Sequence, residues 1–262
     1  MLERFKVPKE DEVRVAHDAL NETVSSIFEK MGVSSDDAAL GAEVLVATDL
    51  RGVETHGVSN MLRSYVEGYT QGTLNPRPDM RVVRETPSTA NVDADKGLAV
   101  ILGPKAMQMA IDKARNVGVG VVTMSNAGHS GAIGHHAMLA AKQDMVGMTA
   151  TSGGLLVVPT YGAEPRLGTN PIAIAAPAKS EPALLFDAAT SAVAGNKLRL
   201  AERVGADMLP GWIAGLDGDP VMDEVKLPDR GQYFQLPLGG TRDQGSHKGY
   251  GFGLMSEVLS TM

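Results

Sequence analysis

The chain of 262 residues contains no cysteine. That absence removes disulfides, thiolate metal sites, iron–sulfur clusters and cysteine nucleophiles at once. It fits a reducing compartment, so a cytoplasmic location is the expectation. No run approaches the roughly 20 apolar residues of a membrane span, and the charged stretch from Met1 to Glu12 lacks the apolar centre of a secretory signal. No membrane partner is expected. Lys/Arg-rich runs are also missing, and the formal net charge is -7. Such a balance disfavours phosphate backbones, so no nucleic-acid partner is expected, and an anionic ligand must be held by local groups. Familiar nucleotide-binding devices are absent too. Gly118-Val119-Gly120 begins like a Rossmann fingerprint, but Thr123 stands where the third glycine belongs. There is no Walker A sequence and no His-Glu-x-x-His.

What is present reads as an ordinary globular chain, 43% apolar and 21% charged, long enough for one large domain or two modest ones. The first part reads as helices. Glu10 to Met31 carries Val13, Ala16, Leu20, Val24, Ile27 and Met31 at three- and four-residue spacing, with Gly32 as a stop. Ser34 and Asp37 form a capping signal for a second helix continuing through Leu50. A third covers Val58 to Tyr69. Asn75-Pro76-Arg77-Pro78 is a linker signal, which divides the chain into residues 1–80 and 81–262. Beyond it the rhythm changes. Strands are predicted over Thr89–Asp93, Val117–Ser125, Met145–Ser152, Ile172–Ala176 and Ala183–Asp187. Helices are predicted from Gly103-Pro104 to Asn116, with Pro104 in the first turn, and over Gly131–Gln143, Ser191–Val204 and Lys248–Met262. Leu209 to Gln235 reads as turns. The expected fold is α/β of the α+β type, a helical N-terminal part and a mixed sheet with helices. The last helix lacks a capping signal, so the second domain looks truncated at its C-terminus.

Five short segments could carry chemistry. In Arg51-Gly52-Val53-Glu54-Thr55-His56-Gly57, two glycines bracket a dense polar cluster at a helix end. His56 titrates near neutrality and can give or take a proton, and Thr55 can share it. The plainer reading is a polar corner between helices. Ser125-Asn126-Ala127-Gly128-His129-Ser130-Gly131-Ala132-Ile133 follows an apolar strand and opens a helix, a setting for anions on free N–H groups, or only a turn. His135 and His136 follow. Neighbours on a helix point different ways and no carboxylate partner is evident, so no metal is expected. Gly168-Thr169-Asn170-Pro171 is a turn with hydrogen-bonding side chains. In Phe186-Asp187-Ala188, a carboxylate ends an apolar strand, placed to orient a histidine or to cap a helix. In His247-Lys248-Gly249, a cation sits at a glycine-rich helix start, suited to an anionic group or merely exposed.

In order and spacing, the five segments resemble the malate/L-lactate dehydrogenase family that lacks a Rossmann fold. Its pattern runs R-G-x-[DE]-[ST]-H-G, S-N-x-x-H-x-G-A-x-G, G-T-N-P, [FD]-D-x-[AS]-[TS]-S and [HY]-K-G-Y-G, and all five occur here between Arg51 and Gly251. The resemblance implies an oxidoreductase moving a hydride between NAD or NADP and a small 2-hydroxy acid or its 2-oxo acid. His56 is then the proton donor, with Asp187 and Thr55 as relay partners. His129, Ser130, Gly131, Ala132 and Ile133 line the cofactor, with further contacts from Ser180, Leu185 and Phe186 and from His247, Lys248 and Gly249. Thr169 and Asn170 support the substrate site. The resemblance also implies a non-Rossmann NAD(P)-binding domain and a homodimer.

Two departures bear on the substrate and the cofactor. Many members carry an arginine four residues after the histidine, suited to clamp a carboxylate with two parallel hydrogen bonds. Here that position is Asn60, which leaves Arg51 or Arg63 to take the role. Ser130 stands where an aromatic is common. Alternatives to the 2-hydroxy acid dehydrogenase are a reductase of cyclic 2-imino acids and a dinucleotide-binding relic without turnover.

Overall fold

The structure, a computed structural model, describes residues 3–261. Residues 1, 2 and 262, including the predicted end of the last helix at Met262, lie outside the described residues. The chain divides into two compact units. One joins residues 13–149 to 173–186. Of the described residues, the other joins 3–12, 150–172 and 187–261.

The unit spanning residues 13–149 and 173–186 begins with three helices, α1 (His17–Lys30), α2 (Ser35–Leu50) and α3 (Val58–Thr70). Ser34 caps α2 by accepting the Asp37 backbone N–H, as the capping signal predicts. The helix expected from Glu10 begins only at His17, because Val13 and Val15 stay exposed and no packing rewards helix there. The three helices pack into one core with the start of α4 (Ala99–Val117). That core contains Val24, Phe28, Leu45, Met61, Tyr65, Leu98, Ile101 and Leu102. The expected boundary near residue 80 therefore falls inside this unit.

Helix α4 starts four residues before Gly103, and Pro104 lies inside it rather than in its first turn. An interior proline costs about 3 kcal/mol. Burying one Leu, Ile or Val side chain contributes about 1.5–3 kcal/mol. Leu98, Val100, Ile101 and Leu102 are all buried, so packing outweighs the proline.

Strands β1 (Arg81–Glu85), β2 (Thr89–Asp93) and β3 (Val121–Ser125) form a sheet in that order, with β1 antiparallel and β3 parallel to β2. The predicted β2 matches residue for residue. β3 begins later than Val117, since Gly118 ends α4 in the left-handed conformation. Helix α5 (Gly134–Ala141) lies over a second small sheet of order β4 (Gly147–Ala150), β5 (Ile172–Ala176) and β6 (Leu184–Ala188). Ile133, Ala137, Ala141, Ala173 and Ala175 make that core.

In the other unit, α6 (Gly195–Val204) and the short strand β7 (Ile213–Ala214) contribute to a core of Val193, Leu198, Met208 and Ile213, β7 pairs antiparallel with β8 (Phe234–Gln235), and α7 (Ser246–Thr261) is the last described helix. α6 starts after the predicted Ser191. That residue spends its hydroxyl on the Val193 carbonyl, and the Ala192 N–H pairs with Leu236. Among the described residues no helix is long and apolar enough to cross a membrane.

Candidate active site

The turn between α2 and α3 is built almost wholly from its own residues. The Val53 N–H reaches back to the Thr48 carbonyl, which closes the end of α2. Glu54–His56 form one 3-10 turn. The Asp49 carboxylate then crosses the loop and accepts the Val58 N–H at 2.8 Å, capping the first turn of α3. Gly57 makes that crossing possible. A Cβ there would lie 1.7 Å from Asp49 Oδ1, so no larger residue leaves room for the carboxylate. The Asn60 amide donates to the Thr55 carbonyl at 2.9 Å and fixes the turn from the α3 side. Thr55 Oγ1 and His56 Nδ1 are 2.9 Å apart.

A second loop, between β3 and α5, meets this turn. The His129 ring stacks on His56, with centroids 5.6 Å apart and planes within 14°. The loop is held along its inner edge. The Val100 N–H donates to the His129 carbonyl, and the Gly128 N–H to the Gly97 carbonyl. His136 donates from Nε2 to the Ser130 carbonyl at 3.0 Å. These bonds explain why α5 starts at Gly134 and not at the predicted Gly131. His136 is buried against α4, and Gly103 is the residue that admits it. A Cβ at 103 would fall 2.6 Å from His136 Nε2.

Tyr65, buried in the helical core, turns its hydroxyl to His129 Nδ1 at 2.7 Å. The same nitrogen accepts the Gly131 N–H at 3.2 Å.

Burial sets the ionisation of this cluster. It lowers His56 below the ordinary histidine value, which favours the neutral ring. It pushes His136 down to about 4, which the hydrogen bond to Ser130 only partly offsets. It raises the Asp49 carboxyl, while the Val58 N–H pulls the other way. Tyr65 is driven well above the usual phenol range and stays a hydroxyl.

The other predicted site residues fall into three groups. Arg51 and Arg63 are exposed, while the Asn60 amide is engaged by the Thr55 carbonyl. Ile133, predicted to line a cofactor, is a buried core side chain, and Leu185 packs against the same cluster. Gly131 is buried, Ala132 and Ser130 are half-buried, and Ser180 and Phe186 are exposed. The remainder lie in the other unit. Asn170 is fully buried there and its side chain is committed to the fold. It donates to the Gly253 carbonyl and to Glu257, and accepts the Gly153 N–H. No hydrogen of its amide is left for a substrate. The Thr169 carbonyl receives the Thr190 N–H and hydroxyl. Asp187 is exposed on β6. His247 and Lys248 are exposed on the first turn of α7, where Arg242 donates to His247 Nδ1, and Gly249 is buried. Among the described residues no three His, Asp or Glu side chains gather as a metal would require.

The family model for malate/L-lactate dehydrogenases matches residues 15–262. The chain belongs to that family. Against the malate dehydrogenase of Pyrococcus horikoshii it is 43% identical over 96% of its own length and 69% of the relative's. Against the L-sulfolactate dehydrogenase of Methanocaldococcus jannaschii it is 39% identical over 91% of its length and 66% of the relative's. The solved structure of the P. horikoshii malate dehydrogenase matches at a TM-score of 0.87 and 38% identity, over 98% of this chain and 69% of that one. This member of the family is thus a dehydrogenase with the mixed α/β fold expected of it.

Sequence reasoning missed Asp49 and Tyr65. The spacing of Asp49 before Gly57 is a usable signal, because a carboxylate beside a helix start is a cap in waiting. Tyr65 carries no signal of its own. On the apolar face of α3 it reads as core, and only the fold shows its hydroxyl leaving the core for a histidine.

Proposed function

We infer that this dehydrogenase interconverts a small 2-hydroxy acid of the malate or lactate type and its 2-oxo acid, using NAD or NADP, with His56 as the proton-transfer residue. The observation that carries the reading is the His56 ring itself. It is half-buried, partnered at Nδ1 by the Thr55 hydroxyl and stacked on His129, so Nε2 is the nitrogen left to serve a substrate. The residues fit a dinucleotide's nicotinamide end. The 126–133 loop carries exposed His129, stacked on His56, and half-buried Ser130 next to it in sequence.

When bound, a dihydronicotinamide supplies the hydride that reduces C2 of the oxo acid. His56 donates a proton to the carbonyl oxygen as negative charge grows there, and takes it back in the reverse direction. Thr55 holds the ring at Nδ1, and Asn60 holds the Thr55 backbone. With Asn60 so engaged, the substrate carboxylate falls to another cation, and Arg51 and Arg63 are the candidates. Asp187 takes the relay role that the resemblance implies. Ser180, Phe186, His247, Lys248 and Gly249 remain the further cofactor contacts.

The test is oxidation of NADH and NADPH against oxaloacetate, pyruvate, phenylpyruvate, a sulfonated 2-oxo acid and a cyclic 2-imino acid. Turnover of an oxo acid should fall by roughly 10²–10⁴-fold in His56→Ala. Turnover of the cyclic imine alone, or turnover that survives His56→Ala, would overturn the reading.

A further inference from the structure

Two groups meet His129 at Nδ1. A backbone N–H can only donate, so the Gly131 N–H at 3.2 Å requires an unprotonated Nδ1. The Tyr65 hydroxyl, 2.7 Å from the same atom, must then donate as well. It is the shorter and stronger of the two contacts. Tyr65 has little freedom to do otherwise. Its ring is 3% exposed in the helical core, and burial keeps the phenol protonated.

We propose that Tyr65 is a positioning residue, which locks His129 as the neutral Nε2–H tautomer through the Oη–Nδ1 hydrogen bond and so leaves His56 as the only imidazolium of the stacked pair. The inference rests on the reading of His56 as proton donor. The geometry gives it a reason. His56 must gain a positive charge each time it is reprotonated, and the ring 5.6 Å away lies parallel to it. A second positive ring there would oppose that step. A neutral ring does not. The lock needs a hydroxyl and a rigid stem. Tyr65 provides both, from an element other than the two loops that carry the histidines.

The experiment uses the whole protein with its six histidines labelled by nitrogen-15, in wild type and Tyr65→Phe, with His129→Gln to assign the resonances. In wild type, His129 should show one unprotonated nitrogen at Nδ1 and one protonated nitrogen at Nε2. In Tyr65→Phe the two signals should move toward an average of tautomers. The kcat for oxo-acid reduction should fall roughly 10- to 100-fold, by analogy with the loss when the hydrogen-bond partner of a metal-ligating histidine is removed. A protonated Nδ1 in wild type overturns the proposal without any variant, even if Tyr65→Phe fails to fold. So do unchanged His129 resonances in Tyr65→Phe, or shifted resonances with unchanged kcat. A wild-type protein without turnover sinks the dehydrogenase reading instead, and the spectra still decide the tautomer.

Discussion

As the proposed proton donor, His56 works under two opposed demands. Burial favours its neutral form, yet reduction needs it charged. At the ring separation of 5.6 Å, a charge on His129 would add a repulsion of about 3 kcal/mol at an effective dielectric of about 20, equal to two decades of protonation. A neutral neighbour avoids that penalty, and only the intrinsic burial effect is left. The sign of the pH dependence follows. Because burial lowers the His56 pKa from 6.5, the ring loses its proton at a lower pH than a free imidazole does. The kcat/KM for oxo-acid reduction should therefore fall as pH rises through a value below 6.5, and that for hydroxy-acid oxidation should rise over the same window. Pre-steady-state or steady-state pH profiles in both directions check this. A reduction limb centred above 6.5 would contradict it.

At the scale of elements, the α2–α3 turn depends on one hydrogen at position 57. In Gly57→Ala the added methyl group displaces the Asp49 carboxylate and frees the Val58 N–H. The expected loss is about 1–3 kcal/mol, the range for overpacking or for a lost charge-assisted bond. Thermal unfolding should show a midpoint lower by about 2–4 °C per kcal/mol, and turnover should drop as Thr55 and His56 lose their frame. An unchanged midpoint would mean that Asp49 swings away at no cost. This turn was legible in the sequence. Polar residues between two glycines mark a corner, and the Ser34 cap and apolar periodicity give α2 and α3 within a few residues. The start of α4 was less so, because Pro104 is a strong local signal that the burial of Leu98 to Leu102 overrides. The loop carrying His129 was legible as a turn between a strand and a helix, but Ile133 within it was not separable from its neighbours. Which side chain of a short loop turns inward is decided by packing against β5, and spacing holds no record of it. Asn170 is the converse case. The resemblance implied that it supports the substrate site, and its amide serves Gly253, Glu257 and Gly153.

For the molecule as a whole, His136 ties ionisation to stability. Its folded pKa is about 4 against an ordinary 6.5, so the unfolded chain binds the proton first as the solution is acidified. The stability associated with a neutral His136 is full above pH 6.5 and is lost as pH falls toward 4. The total is about 3 kcal/mol at 1.36 kcal/mol per pH unit. Urea midpoints at pH 7 and pH 4.5 should differ accordingly, and His136→Leu should flatten that difference even if it lowers both values. The two histidines of the stacked pair are also held over very different spans of chain. The anchors described for His56 lie between Thr48 and Asn60, and such local contacts can form as soon as two neighbouring helices meet. His129 is held by Tyr65 from 64 positions away and by a backbone pinned at Gly97 and Val100. On refolding, the proposed proton donor is therefore assembled early and its companion arrives with the long-range core, so the return of catalysis is expected to report the slowest topological step and not the formation of helix.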